Sequence, residues 1–268
     1  NTIVGSAAGD ALTTGQYNIA IGYNALTAED TGSRNTAIGY EALESLDYNG
    51  DGLNTAVGFM AGNAITTGQS NTLIGGGAGD ALTVAYYNVA VGEGALSADV
   101  QGSRSVAIGW QALNDQSFGS ATETYNTAVG HEAGCKITTG AGNTLIGGLA
   151  GDALTVCELN VAIGQAALGA DDVGSRNVAV GYASFQSQNA TGGSANNFYN
   201  VGVGYGTGSS ITTGYYNTFV GGEAGDGTDD GIQNVAVGYQ ALSANCDNGN
   251  TAIGNESLKV FTGYNNTA

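Results

Sequence analysis

The stretch Asn35-Thr36-Ala37-Ile38-Gly39 decides the reading of this chain, because variants of it recur from end to end. The copies begin at Asn1, Asn18, Asn35, Asn54, Asn71, Asn88, Ser105, Asn126, Asn143, Asn160, Asn177, Asn200, Asn217, Asn234 and Asn250, and Asn266 opens another. Most are 17 residues apart; the coils at Asn35, Ser105 and Asn177 run to 19, 21 and 23, and the last two to 16. A short fixed period of this kind predicts a solenoid, in which each unit buries its apolar side against the next.

Numbering each coil from its Asn turns the columns into chemical statements. Position two is always β-branched, and position five is Gly in all fifteen copies. Position four is Ile or Val throughout: Val4, Ile21, Ile38, Val57, Ile74, Val91, Ile108, Val129, Ile146, Ile163, Val180, Val203, Val220, Val237 and Ile253. Alternate residues of a strand share a face, so positions two and four are expected to turn one stiff, branched face to the core of a five-residue strand. Gly at position five then ends the strand at a sharp turn or a close approach. The recurrent Asn predicts a stacked amide ladder.

The second half of the coil has a longer rhythm. Position eight is Ala in twelve copies, a volume-limited buried site. Position nine is Gly in the first and fourth coils of each four and Leu or Phe in the others; where it is Gly, position twelve usually supplies Leu or Ile instead. One filling side chain therefore moves between two addresses, as conserved core volume requires. Extra residues enter only the third coil of each four, at Glu44–Leu53, Asn114–Tyr125 and Gln186–Tyr199, which predicts lengthening hairpin loops on one solvent edge.

The bulk numbers agree. Gly is 47 of 268 residues, Pro is absent, and 42% of the chain is hydrophobic, too apolar for a disordered Gly-rich polymer. Glycine this frequent also excludes long helices. The formal charge of -18 disfavours nucleic acid and anionic lipid as partners, and no apolar run is long enough for membrane insertion as a helix. The expected fold class is all-β: a parallel β-solenoid, or β-roll, of about fifteen coils in a four-coil super-repeat. Residues 1–268 read as one continuous array, expected to be a fragment of a longer fibre because it starts on a repeat and stops inside another.

The phrases Asn35-Thr-Ala-Ile-Gly-Tyr-Glu-Ala-Leu43 and Asn234-Val-Ala-Val-Gly-Tyr-Gln-Ala-Leu242 resemble the head repeats of YadA-type trimeric autotransporter adhesins and similar repeats of bacteriophage tail fibres. The resemblance covers the whole chain through one short motif. It implies a left-handed β-roll, three chains packed side by side, and an extracellular, cell-surface or virion location. This sequence departs from that pattern in its longer coil, its super-repeat and its grown loops.

Position three is Ala or Gly in eleven coils and bulky only at Ile3, Leu73, Leu145 and Phe219, where position six shrinks to Ser6, Gly76, Gly148 and Gly222. Trading volume suggests a shared space on the face away from the core, either an Ala-lined surface admitting another chain or position six folding over position three. Tyr23, Tyr40, Phe59, Trp110, Tyr182, Tyr205 and Tyr239 share position six. Such a row either stacks between coils or offers platforms for a cell-surface glycan.

Arg34, Arg104 and Arg176 recur in Gly-Ser-Arg, with Asp30, Asp99 and Asp171 shortly before them and Asp10, Asp80 and Asp152 one coil earlier, which predicts repeated Arg–Asp pairs. The segment Asp47-Tyr48-Asn49-Gly50-Asp51-Gly52 imitates the start of an EF-hand loop but lacks its distal Glu, so a turn-rich loop is expected there ahead of a calcium site, and no cofactor is implied. Cys135, Cys157 and Cys246 fall at different repeat positions and have no zinc spacing, although Cys135 and Cys157 lie in adjacent coils. With one His and carboxylates in rows, no catalytic constellation stands out, and the chain is expected not to be an enzyme. The expectation is a structural or adhesive fibre segment. The alternatives are a monomeric solenoid assembling end to end and an ice-binding solenoid with Thr at position two. The second is disfavoured because a column mixing Thr with Val and Ile reads as core.

Overall fold

The computed structural model describes residues 1–189 and 196–268. Part of the third inserted loop, Gln186–Tyr199, therefore lies outside the described residues. The chain is an all-β parallel solenoid, with no helix among the described residues, and it divides into two compact units, Asn1–Glu132 and Ala133–Ala268. In the first unit eight three-residue strands pair in parallel in chain order, at Thr2–Val4, Ile19–Ile21, Thr36–Ile38, Thr55–Val57, Thr72–Ile74, Val89–Val91, Val106–Ile108 and Thr127–Val129. Seven more do so in the second: Thr144–Ile146, Val161–Ile163, Val178–Val180, Val201–Val203, Thr218–Val220, Val235–Val237 and Thr251–Ile253.

The pairing register sets each repeat over the one before: Thr36 faces Thr55, Ala37 faces Ala56 and Ile38 faces Val57. Strands are three residues, shorter than the five expected. The parallel ladder nevertheless continues round the perimeter, as in Gly9 N–H to the Ala25 carbonyl (2.9 Å) and Ala11 N–H to the Thr27 carbonyl (3.2 Å).

The Gly at position five is required twice over. Its φ lies between 132° and 145°, a region L-residues rarely adopt, and a Cβ added at Gly39 would sit 2.1 Å from the Gly58 carbonyl oxygen. The Asn column is a buried ladder. Asn54 Oδ1 accepts the Asn71 N–H at 3.0 Å, while Asn54 Nδ2 donates to the Gly68 carbonyl at 2.8 Å, and the same pair of bonds recurs at Asn18, Asn71 and Asn160. Each of these four amides closes its own coil and holds the next, so buried backbone groups on both coils are satisfied.

The two strand faces are the reverse of the sequence expectation. Position three points inward: Ala20, Ala37, Ala56, Ala90, Ala107 and Ala128 are fully buried, as are Leu73, Leu145 and Phe219. Position four points out. Val4, Ile74, Ile108, Ile146, Ile163, Val203, Val220 and Ile253 are 37–61% exposed, and Ile21, Ile38, Val57, Val91, Val129, Val180 and Val237 are half-buried. The bore of the coil explains the choice. Inside, the strand meets the buried Ala of position eight and the Leu of position nine, as at Ala42 and Leu43, and only a methyl fits between them.

That packing also corrects the partner in the volume trade. Leu73 grows inward where position nine is Gly: its Cδ atoms lie 2.7 and 2.9 Å from where Cβ atoms of Gly62 and Gly79 would stand. Leu145 does the same at Gly151, and Phe219 at Gly208 and Gly225. Position three therefore exchanges volume with position nine, and position six stays outside with Tyr23, Tyr40 and Phe59 44–59% exposed. The exchange between positions nine and twelve holds, with Leu26, Leu43 and Leu96 buried in one set of coils and Ile65, Leu82 and Ile137 in the other.

Inserted segments return as short legs parallel to the preceding coil, in place of the hairpins expected. Thr122–Glu123 pairs with Gly102–Ser103, Asn196–Asn197 pairs with Gly174–Ser175, and a single bridge joins Ser33 to Asp51. No disulfide joins the three cysteines; burial pushes the Cys157 thiol up to about 12 and raises that of Cys246.

Candidate functional site

With the strand faces assigned, the outer surface becomes four adjacent columns. Positions two and four form its middle, and the residue before each Asn and the residue at position six form its margins. The middle columns contain no charged residue; column two is eight Thr, six Val and one Ile. In the first unit eight rungs of ~4.8 Å and a width of ~20 Å give a face of ~800 Å². For a chain of net charge -18 the middle of this face, about half its width, is an uncharged Thr/Val/Ile strip open to solvent, and the charged residues Arg34, Arg104 and Glu93 stand only on its margins.

One margin carries the position-six aromatics. Tyr23 stacks on Tyr40 (centroids 5.4 Å, planes 16° apart) and Tyr40 on Phe59 (5.2 Å, 10°); Trp110 stacks on His131 (4.9 Å), and Tyr182 on Tyr205 (5.3 Å). The rungs bring these rings together face to face, so much of the ring area is occupied by neighbouring rings and mainly edges meet solvent. Tyr239, half exposed, lies against Gly222, whose added Cβ would stand 3.5 Å from its Cδ2.

The other margin carries the three arginines, and their partners differ from those expected. Arg34 Nε meets Asp51 at 3.1 Å and its guanidinium lies 5.2 Å from the Tyr17 ring centroid; Arg104 Nε meets Glu123 at 3.0 Å and lies over Tyr87 at 5.1 Å. Arg176 donates to Asn197 Oδ1 and lies over Tyr199. Asp10, Asp80 and Asp152 are therefore not the partners of Arg34, Arg104 and Arg176. The acidic groups come from the returning legs of the inserted loops, which dock beside the arginine one rung away. A hydrogen bond from the Tyr125 hydroxyl, then the Arg104 guanidinium, hold the Glu123 carboxyl below its usual range.

Asp99 and Asp171, near those arginines in sequence, point into the bore instead. Asp99 accepts the Gly102 N–H (3.0 Å), Gln116 Nε2 (2.6 Å) and the Phe118 N–H (3.1 Å); Asp171 accepts the Gly174 N–H (2.9 Å) and Gln188 Nε2 (2.6 Å). Glu29 is their counterpart, accepting the Gly32 N–H at 2.6 Å. Burial raises the carboxyl pKa of both Glu29 and Asp99.

The 47–52 loop does not converge like an EF-hand. Asp51 is held by Arg34, Asn49 accepts from the Thr31 hydroxyl, and Asp47 turns toward Glu29 and Asp30, the three carboxylates lying within 4.8 Å of one another. Among the described residues no helix is long and apolar enough to cross a membrane. No family model matches the chain, nor does a curated protein or a solved structure.

What the sequence missed is the outer apolar face itself and the acidic partners Asp51 and Glu123. A usable clue to the first was present. A column that never exceeds Ala in most coils is the tighter side, and tightness marks the interior.

Proposed function

We propose that the chain is a structural, adhesive segment of an extracellular fibre, and that copies associate side by side as a homotrimer through the columns at positions two and four. One observation carries the reading: a charge-free Ile/Val and Thr/Val face lies outward on a chain of net charge -18 while the bore is lined with Ala. Exposed apolar patches larger than a few hundred Å² mark interaction sites, and ~800 Å² per partner is the size of a standard stable interface. The flanking aromatic rows and Arg clusters form the amphipathic rim such an interface uses, and the same exposed rings and inserted loops are the surfaces for host contact.

Solution mass at low concentration tests the proposal. A persistent trimer is expected, and Ile38→Lys with Ile108→Lys should dissociate it without unfolding the coil. A clean monomer of the unaltered chain, or an open end-to-end series insensitive to those substitutions, would discard it.

A second reading gains from the reversed faces. Column two places Thr outward in eight of fifteen coils, three of them consecutive at Thr36, Thr55 and Thr72, so the objection that it is a core column no longer holds. Ice binding by a monomer would show as thermal hysteresis, abolished by Thr55→Lys and Thr72→Lys; its absence removes that reading.

A further inference from the structure

The two margins of the outer face vary together along the chain. At each rung the residue before the repeat Asn stands on one margin, and the residue six places later, at position six, stands on the other. In the first unit Arg34 is matched with Tyr40, Leu53 with Phe59, Arg104 with Trp110 and Tyr125 with His131, whereas Ser70 is matched with Gly76. In the second, Arg176 is matched with Tyr182 and Tyr199 with Tyr205, whereas Gly142 is matched with Gly148. Tyr216, matched with Gly222, is the one bulky side chain set against glycine.

Within one chain the matched residues do not meet. The strand between them holds them ~20 Å apart across the face. The arginines lie instead over rings one rung away on their own margin, Arg34 over Tyr17, Arg104 over Tyr87 and Arg176 over Tyr199. Size that varies together without contact inside the chain calls for a contact outside it.

The margin before the Asn is also kept at a cost. Its backbone is left-handed, with φ from 51° to 74°, a conformation in which Gly is free of strain and which Gly142 and Gly249 occupy. Yet Tyr17, Tyr87, Tyr125, Tyr199 and Tyr216 stand there 45–68% exposed, and so do three of the five basic residues of the chain. Exposed rings and cations at strained addresses mark side chains with a role beyond their own chain.

We infer that copies of this chain are joined in axial register, the margin before the Asn on one copy packing on the position-six margin of the next at the same rung. Arg34, Arg104 and Arg176 then lie against Tyr40, Trp110 and Tyr182 of the neighbouring copy. Rotation about an axis parallel to the solenoid leaves every residue at its own height and brings opposite margins of adjacent copies together, so it unites the matched pairs. An antiparallel two-fold inverts the heights and sets each margin against itself. Asp51 and Glu123 engage Arg34 and Arg104 at Nε (3.1 and 3.0 Å), so the terminal nitrogens remain for a ring of the next copy. The inference rests on the homotrimer reading and deepens it by naming the residues that set its register.

A double-mutant cycle on trimer dissociation tests it, with Arg104→Ala and Trp110→Ala in the full chain. Each single substitution should weaken association by ~10-fold or more per interface, the loss expected when a desolvated contact between cation and ring goes. Side chains that touch across copies share one contact, so the double variant should fall no more than ~3-fold below the weaker single. Arg34→Ala with Trp110→Ala, drawn from different rungs, should instead multiply its losses to ~100-fold. Association untouched by either single substitution, multiplied losses in the first pair, or equal coupling in both pairs would overturn the register. Solution mass of the unaltered chain keeps the two failures apart. A monomer fails the assembly reading, whereas a trimer whose Arg104 and Trp110 losses multiply fails this inference alone.

Discussion

The inner and outer faces of the same short strand differ in a way that inverts the usual rule. Ala107 is completely buried while its neighbour Ile108 is 38% exposed, and the pattern repeats from coil to coil. In a globular core the larger apolar side chain goes inside because it gains more from leaving water. Here the perimeter is so short that the interior has no room for it. Volume, and not hydrophobicity, decides which face is in.

That contrast can be broken most severely at its hinge. Gly39→Val places a β-branched side chain at φ 143° and into the Gly58 carbonyl, and it should cost more than ~3 kcal/mol, read as a large drop in denaturation midpoint or loss of folded protein. Next is the polar inner column. Asn54→Ala strands the Asn71 N–H and the Gly68 carbonyl, and should cost ~2–6 kcal/mol at ~1–3 for each unsatisfied group, by urea denaturation.

The sharpest comparison sets adjacent residues against each other. Ala107→Leu overfills the bore and should destabilise by ~1–3 kcal/mol, whereas Ile108→Ala should change the stability of an isolated chain by less than ~1 kcal/mol while weakening association. If Ile108→Ala proved the costlier of the two in a monomer, the assignment of the faces would be wrong.

The smallest effect concerns pH. Burial raises the Asp99 carboxyl above its ordinary value of 3.8, so the native state takes up the proton before the unfolded chain does. The stability linked to this group is fully present below the unfolded value and is lost as pH rises through the raised one. Mild acid should therefore strengthen the fold in this window, and Asp99→Asn should flatten the rise; thermal melts across that range measure it.

Much of this was legible in the residues. The period, the invariant Gly, the Asn ladder and the exchange between Leu26-type and Ile65-type fillers each carry their own steric or hydrogen-bonding reason, and all are present in the fold. The orientation of the strand was not legible by alternation, because Thr36, Ala37 and Ile38 offer no polar side that must face water. The arginine partners were missed for a different reason. Asp51 and Glu123 reach Arg34 and Arg104 only because inserted segments fold back along the preceding coil, and loop paths leave no periodic trace.

The inserted segment of the second super-repeat has a practical consequence. Its base is fastened by Gln101 N–H to the Phe118 carbonyl (3.1 Å) and Thr122 N–H to the Gln101 carbonyl (3.4 Å), leaving Gly119, Ser120 and Ala121 exposed at the tip. Foreign peptide spliced between those anchors would be displayed on a scaffold whose ladder does not depend on the tip, and lengthening a surface loop costs only ~0.6 kcal/mol per doubling. The same corner that evolution has used for growth is thus a ready port for epitope grafting.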